Sequence, residues 1–154
     1  MGSQTNGMWK ARIVLVVLAG WVFGTTDMVV GAPPSLAPTD QHPETLKTIS
    51  IKARQFSPSI LHLHVGQKTR LMIHNSDAEL HAFVPLGLLT RTTLTITGTG
   101  APEFSKEGLR RILLPSHGRA EILFVPKQAG TFIYYCDLPG HRMKGKIVVH
   151  DAGF

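Results

Sequence analysis

Three residues with metal-binding side chains lie close together near the end of the sequence. Cys136, the only cysteine in the chain, is followed by His141 and then by Met143. A thiolate, two imidazoles and a weak thioether are the ligands of copper sites that exchange single electrons. The stretch therefore predicts part of a copper site, and the rest of the chain must supply a second imidazole.

The segments on both sides of these residues are predicted to be strands. Residues 131–135 (TFIYY) are β-branched or aromatic, and residues 146–149 (KIVV) follow the same preference. Residues 137–140 (DLPG) lie between them and contain a Pro-Gly pair, which indicates a turn. Cys136 and His141 would then stand at the two ends of a short, stiff loop.

His81 is the histidine best placed to complete this ligand set. It is enclosed by Leu80, Ala82 and Phe83, and it follows a turn-forming stretch at residues 75–77. His74 is the alternative. The remaining histidines after residue 32 lie in a linker, on an exposed strand face, in a turn or at the chain end, at positions His42, His62, His64, His117 and His150.

His62 and His64 lie on one face of another predicted strand. Leu61, Leu63 and Val65 alternate with them and form the opposite, apolar face. We therefore expect both histidines to face solvent, with a surface metal site as the alternative interpretation.

Cys136 has other interpretations besides copper ligation. A single cysteine cannot form an internal disulfide, so it is one half of an intermolecular disulfide, a free thiol or a metal ligand. A buried, inert thiol and a three-ligand zinc site are the alternatives. Zinc would normally take a fourth strong ligand, and the sequence shows none beside the cysteine and the two histidines.

Short strands separated by Gly, Pro and Asn turns recur over the last two thirds of the chain. Besides the strands around the cysteine, alternation predicts strands at residues 48–54, 60–65, 69–74, 80–84 and 120–125. This spacing is typical of an all-β sandwich or barrel. In the remaining stretch, residues 94–97 are a further candidate strand, and residues at about 100–114 are predicted to form a short helix or a flap.

The first 32 residues have the pattern of a secretory signal peptide. Lys10 and Arg12 precede an apolar run at residues 13–23, and small residues end at Ala32. The run is about half the roughly 20 residues that a membrane span needs, and an uncleaved membrane anchor is the alternative. We therefore predict a signal peptide at residues 1–32, a proline-rich linker at 33–46 and one domain at 47–151.

The charge of the chain bears on its partners. The net charge is +6, but the positive residues are scattered, with only Arg110 and Arg111 adjacent. Nucleic-acid binding is not expected, because it requires a clustered basic footprint. A modest basic surface suits an acidic protein partner or an anionic membrane face. Catalysis is not expected either, because the sequence shows no nucleophile–base pair, carboxylate pair or second metal centre.

Three stretches resemble the cupredoxin family of small blue-copper proteins, which includes plastocyanin and azurin. They are FSPSILHLHVGQKTRLMIHNSDAELHAF, AEILFVPKQAGTFIYYC and CDLPGHRMKG. The first resembles the family's order of aromatic-x-Pro, strand, Gly turn, strand and Asn…His. The third resembles its Cys-x4-His loop with Pro-Gly before the histidine.

The resemblance implies a Greek-key β-sandwich that binds one type 1 copper ion through His81, Cys136 and His141. The family's usual role is one-electron transfer outside the cytoplasm, which implies a redox partner protein and a periplasmic or extracellular location. Two alternatives remain open. One is a periplasmic copper chaperone or scavenger, and the other is a copper-free cupredoxin-like binding module.

The axial ligand is where the sequence departs from the family. Many members with a Pro-Gly-His loop carry an axial methionine four or five residues after the histidine, and those positions here are Gly145 and Lys146. An ammonium about 4 Å from copper would cost about 4 kcal/mol at an effective dielectric of about 20. Strand alternation places Met143 inward with Ile147, unless a bulge at Gly145 inverts it. Met143 is therefore the predicted axial ligand. The alternative is that the Met143 thioether only fills a gap in the core. The axial position would then be occupied by a backbone carbonyl, Glu79 or water, or by no ligand.

Overall fold

The computed structural model describes residues 43–152, and these residues form strands joined by turns and loops. The strands are β1 (Thr45–Lys52), β2 (Gln55–Ser57), β3 (Ile60–His64), β4 (Thr69–Asn75), β5 (His81–Pro85), β6 (Leu94–Gly98), β7 (Ala101–Ser105), β8 (Gly108–Leu114), β9 (Arg119–Phe124), β10 (Gly130–Tyr135) and β11 (Lys144–His150). The predicted signal peptide and the predicted linker up to His42 lie outside the described residues.

The strands form two mixed sheets that pack as a β-sandwich. One sheet has the order β2-β1-β4-β9-β6, and the other has the order β3-β11-β10-β5-β8-β7. The pairs β1–β4 and β3–β11 are parallel, and the other pairs are antiparallel. Within residues 43–152 no helix has the length and apolarity needed to cross a membrane. The all-β sandwich predicted from the spacing of the strands is confirmed.

Alternating apolar residues build the core between the two sheets. On β4, for example, Leu71 and Ile73 are fully buried while His74 beside them is exposed. Burying each such aliphatic side chain contributes about 1.5–3 kcal/mol, so this alternation fixes which face of the strand points inward. Tyr134 on β10 is also fully buried, and its hydroxyl donates to the Pro58 carbonyl oxygen at 2.6 Å.

The structure corrects the expectation for residues 100–114. They form neither a helix nor a flap but the hairpin β7–β8, and β8 pairs with β5 through His81↔Leu114, Ala82↔Leu113 and Phe83↔Ile112. The spacing that suggested a helix depended on Phe104, whose side chain is 60% exposed. The buried residues Ile112 and Leu114 instead alternate along a strand.

β11 faces the core as strand alternation predicts. Met143, Ile147 and Val149 are buried, whereas Lys144 and Lys146 are exposed. The β10–β11 register runs without a bulge through this region. The side chain of Met143 therefore points into the protein, next to the cysteine loop.

Gly145 on β11 is where the strand leaves room for the buried Tyr134 ring. A Cβ atom at this position would overlap Tyr134 Cζ and Oη and would lie 2.8 Å from the Ser59 carbonyl oxygen. Gly145→Ala is therefore expected to lower the free energy of unfolding by about 1–3 kcal/mol, measured by urea denaturation. Lys146→Ala, at the exposed neighbouring position, is the control and should change it by less than about 0.5 kcal/mol. Equal effects of the two substitutions would contradict this packing.

Candidate metal centre

The three predicted equatorial ligands come together at the ends of neighbouring strands. His81 begins β5, Cys136 directly follows β10, and His141 lies in the loop that leads to β11. The Nδ1 atoms of His81 and His141 are 3.1 Å apart, and Cys136 Sγ lies 3.3 Å from His141 Nδ1. One donor atom from each residue lies within 4.8 Å of the other two. The arrangement places one sulfur and two ring nitrogens around a common point.

These donors are shielded from water. His81 is 0% exposed, Cys136 is 3% exposed, and the side chain of His141 is 9% exposed. A group bound by these three residues would therefore lie in a dry, low-dielectric environment, with a narrow opening only at the His141 ring.

Backbone hydrogen bonds hold the cysteine loop in shape. The Ala82 N–H donates to Cys136 Sγ at 3.3 Å, and the Cys136 N–H donates to the Met143 carbonyl oxygen at 3.1 Å. Within the loop, the His141 N–H donates to the Leu138 carbonyl oxygen at 3.0 Å. Gly140 has a positive φ of 79°, which glycine adopts without strain. The Pro-Gly turn predicted from the sequence thus sets the position of His141 relative to Cys136.

The orientation of His81 is set by Asp77. His81 Nε2 donates to Asp77 Oδ2 at 2.9 Å, which leaves the Nδ1 lone pair facing Cys136 and His141. Asp77 in turn accepts the backbone N–H groups of Ala53 at 2.7 Å and Arg54 at 3.0 Å. The N–H of Arg54, with smaller help from that of Ala53, lowers the pKa of Asp77 against the opposing effect of burial. An ionised Asp77 is the partner that holds the required His81 tautomer.

Asn75 secures the loop that carries Asp77 and His81. It is fully buried, and its side-chain amide donates to the carbonyl oxygens of Glu79 at 2.8 Å, Pro115 at 2.8 Å and Leu114 at 3.1 Å. Its side-chain oxygen accepts the Asp77 N–H at 3.0 Å. One buried side chain thus ties the approach to His81 to the end of β8.

Glu79 and Arg54 lie on the far side of the two imidazole rings. Glu79 carboxylate oxygens are 3.7 Å from His81 Nε2 and 3.8 Å from His141 Nε2. Arg54 donates two hydrogen bonds of 2.6 Å to this carboxylate and so lowers the pKa of Glu79. The carboxylate therefore lies beside the nitrogens that do not converge on Cys136, which makes it a poor axial ligand in this arrangement.

Met143 is 4% exposed and packs in the core beside the cysteine loop. Many family members carry the axial methionine at positions that correspond to Gly145 and Lys146. At Gly145 the Tyr134 ring leaves no space for a side chain, and at Lys146 the side chain is exposed. This packing gives a physical reason for the departure from the family pattern. Axial ligation by Met143 stays a prediction.

Arg111 is a residue near the site that the sequence did not indicate. Its guanidinium donates to Asp137, directly after Cys136, at 3.0 Å, and to the two carboxylate oxygens of Glu103 at 2.8 and 2.9 Å. It fastens the start of the cysteine loop to the β7–β8 hairpin. The sequence gives no signal for this contact, because the hairpin itself was not predicted.

The other histidines of the described chain lie outside this cluster. His62 and His64 are exposed, as their strand alternation predicts, and so are His117 and His150. His74, the alternative to His81, is exposed on β4 with its Nδ1 3.3 Å from Ser76 Oγ. His42 lies outside the described residues. Of the histidines within residues 43–152, only His81 and His141 therefore share the site with Cys136.

The donor set fits copper. A buried cysteine sulfur with two converging imidazoles, beside the buried Met143, is consistent with a type 1 copper site. A tetrahedral zinc site would take a fourth strong ligand, and within residues 43–152 no further histidine or carboxylate joins the three converging donors.

Comparisons with known proteins identify the family and the fold. A family model described as a cupredoxin-like domain matches residues 13–149. Auracyanin A, a "blue" copper protein from Chloroflexus aurantiacus, is similar with a TM-score of 0.52 and 20% identity over 70% of this chain and 100% of that chain. A reduced amicyanin variant aligns with a TM-score of 0.47 and 20% identity over 68% of this chain and 82% of that chain. No curated protein sequence matches the chain. Because the family model covers most of its length, the chain belongs to the cupredoxin-like family.

Proposed function

We propose that this protein binds one copper ion at the candidate metal centre and carries single electrons. His81, Cys136 and His141 would be the equatorial ligands, and Met143 the weak axial one. Bound copper would supply a one-electron couple whose two oxidation states both accept a trigonal plane of these donors. The observation that supports this proposal most strongly is the convergence of the buried thiolate and two imidazoles within 4.8 Å.

The residues around the donors favour electron transfer because they limit movement. Asp77 holds the His81 ring, the Ala82 N–H contacts the Cys136 sulfur, and a backbone hydrogen bond closes the loop before His141. A site whose ligands are held by such partners needs little rearrangement when the charge changes. The same hydrogen bonds would preserve the ligand positions in both oxidation states.

The surface near His141 suits a short-lived redox complex. Pro139 is exposed and Leu138 is half-buried in the same loop, and the exposed Arg142 and Lys144 add positive charge nearby. Redox partners bind through small, weak interfaces, and opposite charge speeds their encounter. The proposed partner is therefore an acidic redox protein that docks over the edge of His141.

The proposed location is outside the cytoplasm. The support is the signal-peptide pattern of residues 1–32, followed by a proline-rich stretch that ends before β1 begins at Thr45. The protein would then act in the periplasm or the extracellular space. It would be attached to a membrane only if the N-terminal segment is not cleaved.

Repeated redox cycling separates electron transfer from copper handling. The copper-loaded protein should show reversible one-electron voltammetry and should keep its copper through many cycles in the presence of a Cu(I) chelator. A copper chaperone would instead release Cu(I) to the chelator on reduction. Release of the metal within the first cycles would overturn the proposal of an electron carrier.

Met143→Leu tests the proposed axial ligand. Leucine offers no donor to copper and leaves the site more apolar. Both changes disfavour the more highly charged Cu(II), so the reduction potential should rise and the visible spectrum should shift. Stability should change by less than about 1.5 kcal/mol, because the two side chains have similar volumes. Met72→Leu on β4 is the matched control and should leave both the spectrum and the potential unchanged. If Met143→Leu behaves in the same way, Met143 is a packing residue only.

A further inference from the structure

Three exposed histidines lie together on the outer face of the six-stranded sheet. We call them the surface histidine cluster, and they are His62, His64 and His150. His62 and His64 alternate along β3, the edge strand of this sheet, and β11 pairs with β3 in parallel so that His150 stands opposite His64. Strand alternation therefore turns all three side chains to the same outward face.

The His150 ring lies between the other two and is close to each of them. His62 Nδ1 lies 2.8 Å from His150 Nε2, and the two rings are stacked with their centroids 5.1 Å apart. The centroids of the His64 and His150 rings are 5.3 Å apart. Because the side chains are exposed, changes of rotamer can redirect the nitrogens.

The cluster has nitrogen donors and no charge partner. Within the described part of the chain, none of the three imidazoles forms an ion pair with a carboxylate. Metal ions bind the neutral form of imidazole, and no carboxylate within residues 43–152 holds these ring nitrogens in another contact. The grouping therefore leaves these nitrogens available to a cation.

The two nearest nitrogens of the cluster are held by a hydrogen bond. His62 Nδ1 and His150 Nε2 lie 2.8 Å apart, so one ring donates to the other in this arrangement. A bound cation would replace this hydrogen bond with metal–nitrogen bonds of about 2.0 Å. Cu(II) prefers tetragonal nitrogen coordination, and imidazole donors also bind Cu(II) more tightly than Zn(II).

The cluster is separate from the candidate metal centre. Met143 precedes β11 and His150 ends it, and seven residues of extended strand span about 23 Å. The two groups of residues therefore cannot hold the same ion.

We propose that the surface histidine cluster is a second metal site, which binds a first-row divalent cation and prefers Cu(II) to Zn(II). His62 and His150 supply neighbouring nitrogen donors, and His64 supplies a third after a change of rotamer. Water completes the coordination, since the site is open to solvent. This site does not depend on the candidate metal centre, and it would bind Cu(II) at the protein surface.

Electron paramagnetic resonance during a Cu(II) titration of the full chain tests the site. We expect a signal with the large copper hyperfine splitting and nitrogen couplings of tetragonal imidazole coordination, distinct from the small splitting of a copper–thiolate centre. The triple variant His62→Gln, His64→Gln, His150→Gln should lose this signal, and its affinity for this ion should fall at least about 100-fold. The double variant His74→Gln, His117→Gln, at exposed histidines elsewhere, is the control and should keep the signal.

The same titration in the double variant Cys136→Ser, His141→Gln removes any dependence on the candidate metal centre, because only one of its three predicted equatorial ligands remains. The tetragonal signal should persist in this variant, so failure of the thiolate site and failure of the surface site give different results. The proposal is overturned if the triple variant retains the tetragonal signal with unchanged affinity, or if the wild type never shows it. Displacement of Cu(II) by an equal concentration of Zn(II) would overturn the stated metal preference.

Discussion

Asn75→Ala is expected to lower the free energy of unfolding by about 3–5 kcal/mol and to weaken metal binding at the same time. The substitution removes the two N–H donors that three carbonyl oxygens share and one acceptor, with contacts of 2.8 to 3.1 Å, from a fully buried position. It leaves the carbonyl oxygens of Glu79, Leu114 and Pro115 without this partner. The loop that sets Asp77 and His81 would then lose its main attachment to the end of β8.

Urea denaturation of the metal-free protein measures the loss of stability, and a copper competition assay measures the loss of affinity. Ser76→Ala is the matched control, because the Ser76 hydroxyl contacts only His74 on the exposed face of β4. It should change stability by less than about 0.5 kcal/mol. A loss below about 1 kcal/mol in Asn75→Ala would show that this side chain does not secure the loop.

Cys136→Ser is expected to raise the dissociation constant for Cu(I) at least about 100-fold. Substitutions of groups that merely orient a metal ligand cost about 10–100-fold in affinity, and this one removes a ligand. The thiolate is also the soft donor that Cu(I) prefers, whereas a serine hydroxyl is a hard donor. Competition with a coloured Cu(I) chelator gives the affinity directly.

The serine variant keeps the fold available for this comparison. A hydroxyl oxygen can still accept the Ala82 N–H that contacts the sulfur at 3.3 Å, so the loop retains that anchor. His117→Gln, at an exposed turn outside the site, is the control for general histidine binding and should leave the affinity unchanged. An unchanged dissociation constant in Cys136→Ser would mean that Cu(I) binds somewhere else.

Most of the sandwich could be predicted from the sequence because its inner strands alternate strongly. β3, with Leu61 and Leu63 buried between exposed histidines, is an example. The hairpin β7–β8 could not be predicted in the same way. Its exposed Phe104 and the register shift after Glu103 interrupt the alternation, so the apolar residues imitate helical spacing.

The sequence indicated which residues of the candidate site supply donor atoms, but it did not indicate which residues hold those donors in place. Residue chemistry and the Cys-x4-His loop pointed to Cys136 and His141, and His81 followed from the need for a second imidazole. Asp77 and Arg111 hold the donors through contacts between distant segments, and a sequence has no local period that reveals such contacts. The inward direction of the Met143 side chain followed from strand alternation. The absence of a methionine at position 145 is explained by packing, because Gly145 lies against the Tyr134 ring.

The visible spectrum during a Cu(II) titration of the variant His62→Gln, His64→Gln, His150→Gln, which lacks the proposed surface site, tests the central claim most directly. A copper ion bound by Cys136 in the plane of His81 and His141 should give an intense sulfur-to-copper charge-transfer band, which makes the solution blue. The account predicts that this band grows in proportion to added Cu(II) and stops at one ion per chain. Stoichiometric binding that gives only weak visible absorption, or no binding at all, would contradict it.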